Sequence, residues 1–169
     1  FGSIKVMDLD IFSHGSIVRR SIGVVSQENN LDPDLTINEN LVFFARYCGL
    51  SHTTALNKVN EITEQLNLSS YLDYKPKMLS GGWIRRAMIA RSLLIDPDIV
   101  FLDEPTSGVD PVSRQSFWEM IRILAGMGTS IFVTTHYIDE VENCDRVAFL
   151  NKGRALAIEN PAKLKVQYD

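Results

Sequence analysis

Two adjacent carboxylates, Asp103 and Glu104, follow directly on the apolar run Ile99-Val100-Phe101-Leu102 and precede Pro105. Neighbouring acids of this kind can divide their labour. One helps hold a hydrated divalent cation while the other polarises an attacking water. Two further apolar runs end in polar groups with complementary chemistry. Ile22-Gly23-Val24-Val25 ends at Ser26-Gln27, and Ser130–Thr135 delivers His136. An uncharged amide accepts from water and can coordinate a hard cation through its oxygen. An amide, two acids and an imidazole together suit phosphoryl transfer to water, with His136 against the terminal phosphate. His14 and His52 stand in no such setting and read as surface or structural residues.

These groups can work together only if the strands before them lie side by side. Unbroken apolar runs of this length suggest strands covered on both faces, as in a parallel α/β sheet. Ligands of open parallel sheets gather outside the carboxyl ends of the strands. Pro105 stops the central strand, because proline has no amide to donate to a ladder.

The remaining elements follow from local pattern. Ser3–Met7 reads as another strand, joined to Ile22–Val25 through a helical link at Ser16–Arg20. From Asn29 to Lys77 the pattern becomes helical. Thr36-Ile37-Asn38-Glu39 is a capping box, and the helix after it places Ile37, Leu41, Phe44 and Cys48 on one face before Gly49. A second helix over Thr53–Leu66 carries Ala55, Val59, Ile62 and Leu66 at helical spacing. Phe43, Phe44, Tyr47 and Tyr71 could dock a partner or fill the helices' own core. Ser80 is placed to cap a helix over Trp83–Ile95 behind Gly81-Gly82, and bare amides at such a start favour an anion. Arg85, Arg86 and Arg91 read as solvated or ion-paired. Asp110-Pro111 starts another helix, with Phe117, Ile121 and Leu124 inward. Arg146–Leu150 and Arg154–Ala157 form a hairpin about Asn151-Lys152-Gly153, and Pro161–Val166 a last helix.

The chain has 169 residues, 45% hydrophobic and 22% charged, which suits one well-packed core and excludes a disordered chain. A net charge of −4 argues against a broad nucleic-acid-binding surface, and no nucleic-acid partner is expected. No apolar run approaches the roughly 18 residues of a membrane span. Cys48 and Cys144 are expected as free thiols.

Taken in order, the motifs resemble the nucleotide-binding domain of ATP-binding cassette (ABC) transporters. Val25-Ser26-Gln27 matches the Q-loop, Leu79-Ser80-Gly81-Gly82-Trp83 the signature, and Ile99–Glu104 the Walker B strand with its acid. Ser107-Gly108-Val109-Asp110 matches the D-loop and Thr135-His136 the H-loop. Leu31–Thr36 and Thr134–Glu140 are similar to drug and polysaccharide (nodulation-type) exporters. The resemblance implies an α/β, P-loop NTPase-like ABC ATPase core with a parallel sheet and an inserted helical subdomain. Residues 1–28 and 96–169 would form the core portion, and 29–95 the helical subdomain. It implies Glu104, His136 and Gln27 as catalytic residues, with Asp103 and Gln27 toward magnesium. Ser80, Gly81, Gly82 and Asp110 would contact ATP. The implied partners are a second nucleotide-binding domain, paired head to tail, and a transmembrane permease at the cytoplasmic face of the membrane.

Two features depart from the family pattern. The signature usually ends in glutamine, and here it ends in Trp83. None of the ten glycines is followed by lysine, so the phosphate-binding loop G-x-x-x-x-G-K-[ST] is absent from the sequence. In the family that loop lies upstream of the Ser3–Met7 strand. The chain is therefore expected to be a piece of a longer protein, inactive alone. A non-transport ABC ATPase and a non-hydrolysing regulatory cassette are the alternatives. The short stretch between Gln27 and Ser80 leaves no room for the long coiled coils of the repair class.

Overall fold

The computed structural model describes residues 2–168. Contacts divide the chain into two units, Phe1–Thr134 and Thr135–Asp169. The first unit opens with a hairpin of two short antiparallel strands, β1 (Lys5–Val6) and β2 (Leu9–Asp10). The strand expected over Ser3–Met7 is thus cut short. Met7 and Asp8 both take positive φ and turn the chain back on itself, a conformation aspartate tolerates and methionine seldom adopts. α1 (Gly15–Arg20) leads into β3 (Ile22–Val25).

β3 pairs with β4 (Ile99–Asp103), and β4 with β5 (Ser130–Thr134), all three parallel in the order β3-β4-β5. The register sets Val25, Leu102 and Val133 abreast and Asp103 opposite Thr134. One face of this sheet is covered: Gly23, Val25, Val100 and Leu102 are buried on it. On the other face Val24 and Phe132 are exposed, and Phe101 meets Phe132 at 5.4 Å between ring centroids. The expectation of two covered faces therefore holds on one side only among the described residues. An all-apolar run records what a strand could bury, not what lies over it.

Three helices pack against one another beside the sheet: α2 (Ile37–Tyr47), α3 (His52–Gln65) and α4 (Gly81–Leu93). The capping box at α2 is complete. The Thr36 amide donates to Glu39 Oε2 (2.7 Å) and the Glu39 amide to Thr36 Oγ1 (3.1 Å), satisfying two orphan donors of the first turn. The inward face of α2 is Ile37, Asn40, Leu41 and Ala45, whereas Cys48 is exposed. Cys48 follows the last helical turn as its cap, where the face pattern no longer applies. In α3 the expected Ala55, Val59 and Ile62 are buried, with Leu66 just beyond. Four successive buried residues, Ala87–Ala90, mark α4 as covered on all sides. α5 (Pro111–Gly126) buries Phe117, Ile121 and Leu124 as expected, together with Trp118 and Met120.

The second unit contains a 3₁₀ turn over Ile138–Asn143, a hairpin of β6 (Val147–Asn151) and β7 (Arg154–Glu159), and α6 (Pro161–Tyr168). Lys152 and Gly153 take positive φ at its tip, as a tight hairpin turn requires. Lys165 pairs with Glu142 across the unit.

At Gly23 the sheet and α4 are in close contact. A Cβ there would meet the Ser92 carbonyl oxygen at 3.0 Å and Val100 Cγ2 at 3.2 Å. Gly23→Val should destabilise the protein by about 1–3 kcal/mol through overpacking, read as a lower urea midpoint at unchanged slope. An unchanged midpoint would contradict the close packing of β3 on α4.

Candidate functional site

The parallel register brings the carboxyl ends of β3, β4 and β5 to one edge. Gln27 stands two residues past β3, Asp103 is the last residue of β4, and Glu104 follows it. The two acids and the amide therefore share an edge, as the sequence suggested. His136 lies two residues past the end of β5, in the second unit, with its ring 4.2 Å from that of Tyr137.

The acid pair is held by β5. Thr134 Oγ1 donates to Asp103 Oδ1 at 2.6 Å. The Glu104 amide donates to both Thr134 Oγ1 and the Thr134 carbonyl, each at 3.1 Å. Glu104 has φ 42°, a left-handed conformation that is uncommon for a long side chain and costs on the order of 1–3 kcal/mol. The Ser107 amide donating to the Glu104 carbonyl (3.1 Å) supports this turn from its far side.

Arginines of α4 hold the other half of the edge. Arg85 donates to the carbonyls of Ser26 (2.5 Å) and Gln27 (2.9 Å), and Arg91 to that of Asn30 (2.8 Å). Arg86 reaches the Leu66 carbonyl at 2.7 Å. The expectation that these three were solvated or ion-paired is corrected: each spends its fork of donors on backbone carbonyls of a neighbouring segment. Burial pulls the Arg85 pKa down, and the field of Asp103 pushes it back up. The hydropathy pattern treats arginine as a surface residue, so these tethers left no signal in it.

Ser80 is the N-cap of α4, with Gly81 and Gly82 as its first two residues. The Ser80 side chain makes no capping hydrogen bond. A Cβ at Gly81 would meet nothing within 4 Å, and at Gly82 only Ser80 Oγ at 4.0 Å. Packing within this chain therefore does not demand either glycine. Trp83 stacks on Tyr71 (4.1 Å between centroids), with Arg86 4.8 Å above its ring. Tyr71 is thus engaged by its own helices, and Phe44 lies under Arg91 at 5.2 Å, while Phe43 and Tyr47 are exposed. A cleft of ≈ 160 Å³ lies between the start of α4 and α5, lined by Ser80, Gly82, Trp83, Arg85, Pro105 and Ser113 among others. It is smaller than the roughly 300 Å³ at the low end of small-molecule sites.

Asp110 caps α5, accepting from the Ser113 amide at 3.0 Å. No group of three or more metal-binding side chains exists among the described residues. The Asp103 carboxylate at the end of β4 fits a magnesium ion delivered with a nucleotide, which takes one or two carboxylates, waters and phosphate oxygens.

The solved structures place this architecture among α/β P-loop NTPase-like ATPases. The cbiO1 subunit from Clostridium perfringens, part of the ABC transporter complex cbiONQ, superposes with a TM-score of 0.90 at 28% identity, over 99% of this chain and 69% of its own. The ATP-binding cassette MJ0796, solved as a dimer in a post-hydrolysis state with ADP and Pi, gives 0.79 at 26% identity, over 95% and 73%. The family model for the ABC transporter matches residues 2–107, and the chain belongs to that family. Among its relatives is the Nod factor export ATP-binding protein I of Burkholderia orbicola (strain AU 1054), 42% identical over 164 residues. That of Rhizobium sp. (strain N33) is 40% identical over the same length. The chain spans 54% of the length of each relative and 96% of itself is matched.

The capped start of α5 should be sensitive to acid. The Ser113 hydroxyl and then its amide hold the Asp110 carboxyl below its ordinary value. A lowered folded pKa contributes stability that is complete above the ordinary carboxyl range, near pH 4, and is lost as pH falls through the folded value. The stability difference between the parent and Asp110→Asn, which keeps a capping oxygen, should shrink as urea unfolding is moved from pH 6 down to pH 2. A difference that stays constant would contradict the cap.

Proposed function

We propose that this chain forms part of the ATP-binding subunit of an export transporter, coupling hydrolysis of magnesium-ATP to movement of a membrane permease. The observation that carries this reading is the shared edge of Gln27, Asp103 and Glu104, in a chain of the ABC family. The export assignment rests on the relatives' names, which concern Nod factor export.

In this reading Asp103 would hold the hydrated magnesium that arrives with ATP, and Gln27 would offer an amide oxygen to the same ion. Glu104 takes a proton from the attacking water as general base, a contribution typically of about 10²–10⁴ in rate. His136 contacts the terminal phosphate. Ser80, Gly81 and Gly82 act in trans on the nucleotide of a second, head-to-tail domain, with Asp110 near the same interface. The two signature glycines, unexplained by packing in this chain, are then explained by an anion approaching the first amides of α4. The uncommitted Ser80 hydroxyl supports the same role. The permease would hold the subunit at the cytoplasmic face of a membrane, and no helix among the described residues is long and apolar enough to cross one.

In the full-length protein, Glu104→Gln should reduce turnover at least a hundredfold while nucleotide binding persists, because an amide keeps the shape but accepts no proton. Gly82→Asp should abolish nucleotide-driven pairing, since a carboxylate would face the phosphates with little water between. Phosphate release and dimer formation against ATP concentration read the two effects. Parent-like turnover by Glu104→Gln would overturn the role of Glu104, and parent-like pairing by Gly82→Asp that of the signature.

A further inference from the structure

We propose that Thr134 is a positioning residue of the hydrolytic site, its single hydroxyl fixing both acids at once. This inference rests on the roles given above to Asp103 and Glu104.

The geometry is specific. Thr134 Oγ1 gives its proton to Asp103 Oδ1 at 2.6 Å and accepts the Glu104 amide at 3.1 Å. A hydroxyl has one proton to donate and lone pairs to accept with, so each capacity of this group is used on one of the two acids. The parallel register makes the contact possible, because Thr134 lies directly opposite Asp103. Thr134 is also exposed. Core packing therefore does not explain its presence, and the strand before it, Ile131-Phe132-Val133, is wholly apolar. A β-branched side chain has few χ1 choices, which keeps the oxygen in place.

Each bond has a distinct consequence. The bond to Oδ1 orients the Asp103 carboxylate and leaves its other oxygen the natural one for a cation. The bond from the Glu104 amide to this hydroxyl, shared with the Thr134 carbonyl at 3.1 Å, supports the backbone at φ 42°, and that dihedral sets where the Glu104 carboxylate leaves the chain. Thr134 touches neither water nor nucleotide in this scheme. It acts through the acids, as partners that orient metal-binding carboxylates commonly do.

The test uses the full-length protein with Thr134→Val, which keeps the shape and removes the hydroxyl, and Thr134→Ser, which restores it. Affinity for Mn²⁺ in the presence of ATP is measured by electron paramagnetic resonance, alongside kcat and KM for ATP. The Glu104 amide resonance without nucleotide is followed by NMR. Loss of such an orienting partner typically costs about 10–100-fold. Thr134→Val should therefore weaken Mn²⁺ binding and lower kcat by at least tenfold, and shift the Glu104 amide. Thr134→Ser should recover the parent values. Parent-like Mn²⁺ affinity and kcat in Thr134→Val would overturn the proposal, as would a serine variant as impaired as valine. Glu104→Gln, run in parallel, separates the two levels. If it loses turnover while Thr134→Val does not, Thr134 alone is misassigned. If it turns over normally, the reading of the acids fails.

Discussion

Everything at the candidate site depends on β4 lying between β3 and β5 in parallel register. A parallel ladder aligns the carboxyl ends of its strands, so groups far apart in sequence are brought to one edge by backbone hydrogen bonds alone. A shift of one residue would turn Asp103 from Thr134 and reverse which side chains of β4 face the helices. Leu102 and Val100 would then leave the core in which they are buried. Hydrophobic burial thus protects the geometry of the acids, although neither acid takes part in it.

α4 ties this edge to the Ser80-Gly81-Gly82 turn. Its first residues are Gly81 and Gly82, its middle arginines hold the carbonyls of Ser26, Gln27 and Asn30, and its last turn lies against Gly23. Arg85 joins α4 to the loop after β3 through two hydrogen bonds of charged character, stronger than neutral ones. On the proposed reading, a displacement of the signature helix carries Gln27 with it. Trp83 belongs to the same element for a different reason: its indole stacks on Tyr71 and beneath Arg86 of its own chain.

Much of this was legible in the sequence, for reasons that differ residue by residue. The capping box at Thr36, the Asp110-Pro111 start of α5 and the Lys152-Gly153 turn are short-range chemistry, and each appears where its residues require. The strands ending at Val25 and Asp103 were visible as apolar runs closed by polar pairs. What stayed hidden depends on residues distant in the chain. The targets of Arg85 and Arg91 are carbonyls, which carry no side-chain signature. Thr134 reads as an ordinary strand residue until the register sets it opposite Asp103. The β1–β2 hairpin was missed because Met7-Asp8 is not a recognised turn pair, and the open face bearing Val24 and Phe132 because composition cannot reveal coverage.

On the proposed reading, the edge formed by Gln27, Asp103 and Glu104 receives the metal-bearing phosphates of ATP. The most direct measurement is paramagnetic relaxation of backbone amides in the full-length protein, on titration with ATP and substoichiometric Mn²⁺. Broadening is expected to be strongest at Gln27, Asp103 and Glu104, with Ile22, Ile99 and Ser130 at the amino ends of the same strands much less affected. Strong broadening at those amino ends, with the carboxyl edge unchanged, would contradict that reading.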